Sequence, residues 1–293
     1  MQLKNCNSGE LYEVVGPVYS NEITKIWCGK ISEGEYEGAF VKMLNYGELE
    51  DKRAANELKS ICQEEINTLK QASKCSKKVP SVKASWNNPK EKRYVIIMDT
   101  MPGVSLREWL EKHQKDELQA KDIFIRKSLA VQICEIMRDI CKKFPVIVHR
   151  DLKPENIFIN FNKNTKKWEA YIIDFGCANL NYIRNLGTTN YQAPEQIRIG
   201  NTRVSITSKT DIFAIGQIMY EMLLGRAPII GEDYQYKARQ NSWVQTPRLP
   251  EYLEGIPGVM DMMEVINKMT SFDIDDRPSY ENIIRNLKNI KIG

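Results

Sequence analysis

Acidic and amide side chains that could bind a metal ion and accept a proton lie close together in the middle of the sequence. The segment His149-Arg150-Asp151-Leu152-Lys153-Pro154-Glu155-Asn156 is followed by Asp174-Phe175-Gly176. Asp151 is predicted to lie on a polar loop between a helix and a short strand, where a carboxylate can accept the proton of a substrate hydroxyl. Asn156 and Asp174 offer the hard oxygen ligands that Mg²⁺ prefers. Taken singly, each residue would more simply be a turn or N-cap residue, but their combination favours a magnesium-dependent reaction.

The composition indicates a globular protein of one or two domains. The 293 residues carry a formal net charge of +4, with 42% hydrophobic and 27% charged residues, enough apolar side chains for a sizeable core. Seven cysteines without a Cys-x-x-Cys spacing and only two histidines indicate neither a disulfide framework nor a zinc site. The excess of Lys and Arg in residues 51–93 is typical of a solvated helix face, so we expect no nucleic-acid partner.

Hydropathy predicts no membrane span and no secretory leader. The longest strongly apolar stretch, Ile212 to Leu224, contains Gly216, Gln217 and Glu221, so it is too short and too polar to cross a bilayer and is interpreted as a buried helix. The first residues lack a basic stretch followed by an apolar one. We therefore expect a cytoplasmic protein, or one in a host cytosol if the source is microbial or viral.

The elements that must position these residues change in type along the chain. Short runs of β-type residues alternate with one helix near Ala54 to Gln71, and the remainder shows helical periodicity. The strands are predicted at Leu11 to Val18, Thr24 to Ile31, Gly38 to Leu44, Val82 to Trp86 and Arg93 to Met98. Apolar positions 130, 134, 137, 141 and 144 predict an amphipathic helix, and further helices are predicted at 209–224, 259–270 and 279–289. The polar stretch Asp99 to Gly103 is predicted to link the two parts.

The order of the motifs identifies a family. The segment 149–156, Asp174-Phe175-Gly176, Gly187-Thr188 and Ala193-Pro194-Glu195 resemble the motifs of eukaryotic-type protein kinases, with Lys153 typical of the Ser/Thr branch. The resemblance runs from about residue 11 to 290. It implies an α+β, two-lobed protein kinase fold with an N-lobe at 1–98, a hinge at 99–104, a C-lobe at 105–293, and ATP in the cleft between the lobes.

The resemblance also implies a role for individual residues. Asp151 would accept the substrate proton, Lys153 would neutralise the transferring phosphoryl group, and Thr188 would lie beside the catalytic Asp. Lys42 would pair with the α and β phosphates of ATP, oriented by Glu65. Glu64 is the alternative partner, but it lies about 100° away around the helix and is expected to face solvent. Asn156 and Asp174 would hold Mg²⁺.

The adenine site is implied at the hinge and on the neighbouring strands. Met98 would be the gatekeeper, although it would also fit an ordinary core position, and the backbone of Asp99 and Met101 would face the base. Phe40 and Phe158 would either sandwich the base or crowd it. The residues assigned to nucleotide binding around the base are Val18, Ile26, Phe40, Met98, Asp99, Met101, Ser105 and Phe158.

The loop expected to cover the phosphates departs from the family. Residues 18–25 contain none of the three expected glycines, whose lack of a Cβ lets the backbone approach phosphates, and Glu22 would repel a triphosphate unless it were turned outward or offset by Lys25. Weaker nucleotide binding is therefore expected. Two alternatives to a Ser/Thr kinase stay open: a pseudokinase scaffold with little or no turnover, and an enzyme that transfers another group such as AMP.

The sequence also gives expectations for the activation segment and for the site that binds the protein substrate. No Ser or Thr lies between Asp174 and Thr188, and Arg184 would repel Arg150, so activity is expected without prior Ser/Thr phosphorylation of this segment. Glu155 and the residues near Gln192 would line the site for a protein substrate with a Ser or Thr acceptor. Asp211 would anchor the loop of Asp151, and Glu195 and Arg277 would form a buried ion pair. The sequence indicates no oligomeric state.

Overall fold

Two units follow one another along the chain, Met1–Met101 and Pro102–Gly293. The computed structural model describes residues 1–21, 26–48, 52–113, 115, 117–175, 188, 190–197, 206–225 and 249–293, with only the backbone at residues 18–21, 26–27, 48, 52 and 54. The division between the units falls within the segment 99–104, for which the sequence predicts a hinge.

The N-terminal unit is built on one antiparallel sheet in the order β1-β2-β3-β4-β6-β5. Successive side chains of a strand point to opposite faces of the sheet, and most of these strands carry β-branched or aromatic residues, which favour strand structure. A helix, α1, lies between β4 and β5 in the chain and contacts β5 and β6. The elements are β1 (Gln2–Lys4), β2 (Leu11–Asn21), β3 (Ile26–Ile31), β4 (Phe40–Asn45), α1 (Lys52–Ala72), β5 (Val82–Asn88) and β6 (Arg93–Met98).

The two faces of β4 have different environments. Val41 and Met43 belong to a buried apolar cluster on one face, with Tyr12, Trp86 and Ile97. Alternation places Phe40, Lys42 and Leu44 on the opposite face, where α1 buries Cys62, Glu65, Ile66 and Leu69. The strand thus carries a lysine on the face covered by a helix that supplies a carboxylate.

The C-terminal unit is mainly helical. Its longest helices, α3 and α5, contact each other, and α5 also packs on α7 while α3 packs on α8. Nearly every side chain of α5 from Thr210 to Leu223 is buried, and Gly216 permits this because a Cβ there would collide with Thr270 and Met269. The helices are α2 (Leu106–Lys112), α3 (Ala120–Lys143), α4 (Pro194–Ile197), α5 (Ser208–Leu224), α6 (Glu251–Glu254), α7 (Val259–Met269) and α8 (Tyr280–Asn289).

A small antiparallel sheet in the same unit carries the segment that follows Asp151. Its order is β7-β8-β9, formed by β7 (Val104–Ser105), β8 (Ile157–Asn162) and β9 (Lys167–Ile172). Gly103 begins this sheet with φ +93°, and a Cβ at this position would overlap the carbonyl of Ile159. Glycine is therefore required where the chain enters β7.

The observed elements confirm most of the predicted ones. The strand predicted at 93–98 has the predicted bounds, and α1, α5, α7 and α8 lie within two residues of their predicted limits at each end. The apolar stretch Ile212 to Leu224 is a buried helix, as predicted. Strands β1, β7 and β9 and helices α2, α4 and α6 were not predicted. Among the described residues, no helix combines the length and the apolar character needed to cross a membrane.

Candidate active site

A buried ion pair joins β4 to α1. Lys42 Nζ lies 2.7 Å from Glu65 Oε1, and the two side chains are only 9% and 1% exposed. Glu64, the alternative partner, is only partly buried. The neighbouring carboxylate compensates in part for the water that the buried ammonium loses, and it fixes the direction of the lysine side chain.

The ion pair also sets the electrostatics around it. Burial raises the pKa of the Cys62 thiol to about 12, and the charge of Glu65 adds to this shift while Lys42 opposes it. The thiol next to the pair therefore stays neutral at physiological pH. It is buried, so a role as a nucleophile is not indicated.

In the C-terminal unit, the loop that carries Asp151 is fixed by the buried helix α5. The carboxylate of Asp211 accepts hydrogen bonds from the backbone N–H groups of His149 (2.8 Å) and Arg150 (2.9 Å). Burial raises the pKa of Asp211, and the nearby positive charges and these two N–H groups lower it in part. Gln196 adds a third contact by donating from Nε2 to the carbonyl of Arg150 at 2.9 Å. The backbone just before Asp151 is thus held on two sides.

The carboxylate of Asp151 lies in a compact polar cluster. The Thr188 hydroxyl donates to Asp151 Oδ1 at 3.0 Å, and Lys153 Nζ is 3.1 Å from Asp151 Oδ2. Lys153 Nζ also donates to Thr188 Oγ1 at 3.0 Å. Asn156 donates from Nδ2 to the carbonyl of Asp151 at 2.8 Å. These contacts orient a carboxylate whose side chain is 15% exposed, as a proton acceptor requires.

Lys153 is held in its charged form within this cluster. Burial lowers the pKa of Lys153, but the charge of Asp151 and the hydrogen bond to it, with smaller contributions from Glu155 and Asp174, outweigh that effect, so the pKa is raised. A permanent cation next to the Asp151 carboxylate can stabilise negative charge that develops on a bound group.

Asp174 is positioned by the residues on each side of it. The N–H of Ile173 donates to the carbonyl of Asn156 at 2.9 Å, and Nε2 of His149 contacts the carbonyl of Ile173 at 3.0 Å. Phe175 is fully buried, with its ring 4.6 Å from that of His149. Asp174 itself is exposed and has φ 60°, a left-handed conformation that is uncommon for non-glycine residues and that Asp adopts more readily than most.

The oxygen atoms of Asn156 and Asp174 fit a magnesium ion that is shared with a phosphate. An amide oxygen and a carboxylate are ligands that Mg²⁺ accepts, and Mg²⁺ commonly combines one or two protein ligands with substrate phosphates. In the described part of the chain, no group of three or more His, Cys, Asp or Glu side chains could hold a metal.

Comparison with known proteins assigns the chain to a family. The family model for the protein kinase domain matches residues 37–287. The chain belongs to the protein kinase domain family. The expected kinase-family membership and α+β kinase fold are thereby confirmed.

Relatives within the kinase family are similar at modest identity. Serine/threonine-protein kinase PrkC of Bacillus subtilis is 29% identical over 191 residues, covering 61% of this chain and 26% of that protein. PknL of Mycobacterium tuberculosis is 32% identical over 122 residues, covering 39% and 28%. The carbon catabolite-derepressing protein kinase of Saccharomyces cerevisiae is 29% identical over 195 residues, covering 64% and 28%. The chain thus spans 26–28% of the length of these curated relatives.

The residues of the N-terminal unit that the kinase resemblance assigns to the adenine site lie on its strands or directly after one. Met98 ends β6 and is 6% exposed, and Phe40 begins β4. The Asp99 N–H donates to the carbonyl of Ser81 at 3.0 Å, so a ligand at Asp99 would have to use its carbonyl oxygen. Val18 lies in β2 and Ile26 begins β3, and only their backbone is described.

Two assigned residues of the C-terminal unit have local roles. Ser105 is the N-cap of α2, with its hydroxyl accepting from the N–H of Glu108 at 3.1 Å. Phe158 lies in β8 and pairs with Ser105. The hydroxyl of Ser105 is therefore occupied by a capping bond, a role that the assignment to the cofactor did not foresee.

Two features singled out in the sequence fall wholly or partly outside the described residues. The structure does not describe positions 22–25 of the glycine-free loop or positions 176–187 of the activation segment. The expectations of weaker nucleotide binding and of activity without prior phosphorylation of this segment therefore stay predictions. The contribution of His149 was missed, because a histidine that supports a neighbouring loop through one backbone contact leaves no spacing signal in the sequence.

Proposed function

We propose that the protein is an ATP- and Mg²⁺-dependent kinase that phosphorylates Ser or Thr hydroxyls of protein substrates. The observation that carries the proposal is the cluster of Asp151, Lys153 and Thr188, in which the two oxygens of one carboxylate contact an ammonium group at 3.1 Å and a hydroxyl at 3.0 Å. A carboxylate held so can accept a hydroxyl proton while the adjacent ammonium offsets the charge of an incoming phosphoryl group.

The proposed reaction assigns one task to each side chain. Asp151 orients the substrate hydroxyl and takes its proton as the oxygen attacks the γ-phosphate. Lys153 stabilises the negative charge on the transferring group. Lys42, kept in place by Glu65, neutralises the α and β phosphates. Asn156 and Asp174 would hold Mg²⁺, which would supply positive charge to the phosphate oxygens.

The Ser/Thr specificity rests on two supports. Lys153 is the residue by which the sequence resembles the Ser/Thr branch, and the relatives named above include Ser/Thr-protein kinases of bacteria. The same polar cluster is also compatible with transfer of AMP, because that reaction uses the same metal ligands on the same nucleotide. The test must therefore identify the group transferred.

Intact-mass analysis distinguishes these activities. The purified chain and dephosphorylated casein are incubated with Mg²⁺-ATP, beside the variants Asp174→Ala and Asp261→Ala. Asp261 is an exposed carboxylate on α7 and serves as the matched control. Phosphoryl-sized increments that persist in Asp261→Ala and disappear in Asp174→Ala are expected. An adenylyl-sized increment would assign nucleotide transfer instead, and no increment on either protein would overturn the proposal in favour of a pseudokinase.

A further inference from the structure

The peptide group between Arg150 and Asp151 is held by a side chain of helix α4. Gln196 Nε2 donates to the carbonyl oxygen of Arg150 at 2.9 Å. That oxygen belongs to the planar peptide unit that also contains the nitrogen and the Cα of Asp151. The hydrogen bond therefore fixes the orientation of the backbone from which the carboxylate of Asp151 extends.

Arg150 has a backbone conformation that needs support from both sides. Its φ of 69° lies in the left-handed region, which is uncommon for a residue with a long side chain. Such conformations persist where the surrounding structure fixes them. The carboxylate of Asp211 binds the N–H groups of His149 and Arg150, and Gln196 binds the carbonyl of Arg150. Both ends of the residue are thus held.

The two ends of the Gln196 amide have different roles. Oε1 accepts from the N–H of Ala193 at 2.9 Å, and a Gln or Glu at the third position of a helix often binds back in this way. The Nε2 bond is not a helix cap, because it reaches a carbonyl 46 residues away in the chain. Gln196 is only 4% exposed, so a partner lost at either end is not simply replaced by bulk water.

The same stretch of chain contacts the Asp151 loop at a second point. The Thr188 hydroxyl donates to Asp151 Oδ1 at 3.0 Å. The N–H groups of Tyr191 and Gln192 donate to the carbonyl of Thr188 at 2.9 and 3.2 Å, which joins this contact to the residues just before α4. The stretch that begins at Thr188 and ends with α4 therefore holds Asp151 both by its carboxylate and by its peptide group.

We propose that Gln196 is a positioning residue of the reaction, whose amide sets the geometry of the proton acceptor by fixing the peptide group that precedes it. The inference rests on the proposed kinase function. Gln196 acts through Asp151 and not on the reacting atoms. Its loss should therefore slow transfer in the bound complex, because a small displacement of a reacting group is costly, while ATP binding at Lys42 and Asp174 is unaffected.

Two substitutions separate the two ends of the amide. Gln196→Met has a similar volume and removes both hydrogen bonds. Gln196→Glu keeps an oxygen for the N–H of Ala193 but, when ionised, has no hydrogen to donate to Arg150. Assays at about pH 8.5, far above the ordinary pKa of Glu, favour the ionised form. Both variants should lose activity, because both lack the bond to Arg150.

A matched control exists in the same unit. Gln132 on α3 also bridges a carbonyl and an N–H, since its Nε2 donates to the carbonyl of Trp168 at 3.0 Å and its Oε1 accepts from the N–H of Ala170 at 3.1 Å. Gln132→Met and Gln132→Glu remove the corresponding bonds on strand β9. They should lower the thermal midpoint in a similar way, but they leave the peptide group before Asp151 unchanged.

Single-turnover kinetics test the positioning. With saturating Mg²⁺-ATP and dephosphorylated casein, transfer should slow by about tenfold or more in both Gln196 variants, with the KM for ATP unchanged. Both Gln132 variants should transfer at the wild-type rate. All rates are measured at a temperature where each protein is folded by circular dichroism.

Hydrogen exchange tests the geometry without catalysis. The amide hydrogens of residues 151–153 should exchange faster in Gln196→Met than in Gln132→Met, because only the first substitution releases the peptide group at Arg150. Comparing two variants of similar stability removes the contribution of global unfolding. If the wild type transfers no phosphoryl group while this difference is observed, the proposed function is wrong but Gln196 still fixes the loop.

Three outcomes would overturn the inference. One is a folded Gln196→Met protein that transfers at the wild-type rate. Another is the wild-type rate in Gln196→Glu, which would reduce the role of Gln196 to capping α4. The third is an equal loss in the Gln132 variants, which would show a general effect of lower stability. Should Gln196→Met not fold, Gln196→Glu and its control Gln132→Glu are judged by the same two measurements.

Discussion

Removing Arg277 should destabilise the C-terminal unit far more than removing any exposed cation. Its guanidinium forms a two-pronged ion pair with Glu195, at 2.7 Å from Nη1 to Oε1 and 2.8 Å from Nη2 to Oε2. The side chains are 0% and 2% exposed. The Arg277→Met variant keeps most of the side-chain volume but leaves the carboxylate buried, with the hydroxyl of Thr210 at 2.9 Å as a remaining donor.

The expected size of the effect follows from these contacts. Removing one partner of a buried ion pair costs about 3–5 kcal/mol, because the other charge is left without compensation. Arg277 also donates to the carbonyls of Ser271 at 2.8 Å and Lys209 at 3.0 Å, so the upper part of that range is expected. For a unit of this size the thermal midpoint should fall by roughly 6–20 °C.

Urea unfolding followed by circular dichroism measures the change. The control Lys288→Met removes an exposed pair with Glu135 (2.6 Å) and should cost less than about 1 kcal/mol. The double variant Glu195→Gln/Arg277→Met contains no buried charge at this site and should regain at least about 1 kcal/mol over Arg277→Met. A loss below 1 kcal/mol in Arg277→Met, or a double variant as unstable as the single one, would refute the reasoning.

Three further predictions concern the reaction and the pH dependence. Lys42→Met should lower the rate of phosphoryl transfer by about 10²-fold or more and should also lower the stability of the protein. Adding Glu65→Gln should restore the stability but not the activity. Restored activity would contradict the role assigned to Lys42. Asp151→Asn should slow single-turnover transfer by about 10²–10⁴-fold in a protein that remains folded by circular dichroism, and a loss below tenfold would count against Asp151 as the proton acceptor. Burial raises the pKa of Asp122, but its hydrogen bonds to Lys115 and to the backbone lower it by more, to below 3.8, so its contribution to stability is present above that value and is lost as pH falls through the folded pKa. The stability difference between the wild type and Asp122→Asn in urea should therefore vanish in strong acid, and a difference that persisted there would contradict the assignment.

The resemblance to protein kinases predicted the pair of Lys42 and Glu65, which the structure shows. Periodicity added two points: side chains alternate along a strand, so Phe40 and Lys42 share a face, and Glu64 points about 100° away from Glu65 around the helix. The buried helix at 212–224 was predicted from its apolar composition, which is a local property of the sequence.

Contacts that depend on the tertiary path could not be predicted in this way. Arg107 meets Glu155 and Glu221, which are 48 and 114 residues away, a separation that no local pattern in the sequence reveals. Strand β1 has three residues, too few for a pattern of alternation. The assignment of Ser105 to the cofactor site stays a prediction. Its hydroxyl also caps α2, a role that Ser often has where a helix begins.

The hydrogen bonds that Asp211 accepts from the backbone N–H groups of His149 and Arg150 give the loop just before Asp151 the stability of the core. Asp211 lies on α5, whose side chains are nearly all buried, so these two amides can open to solvent only when the helix itself loses its packing. Their hydrogen exchange should therefore proceed at the rate of global unfolding rather than at the faster rate of an ordinary surface loop. In such a protein the geometry of the proton acceptor is lost in the same cooperative step as the fold, and partial unfolding elsewhere leaves it intact.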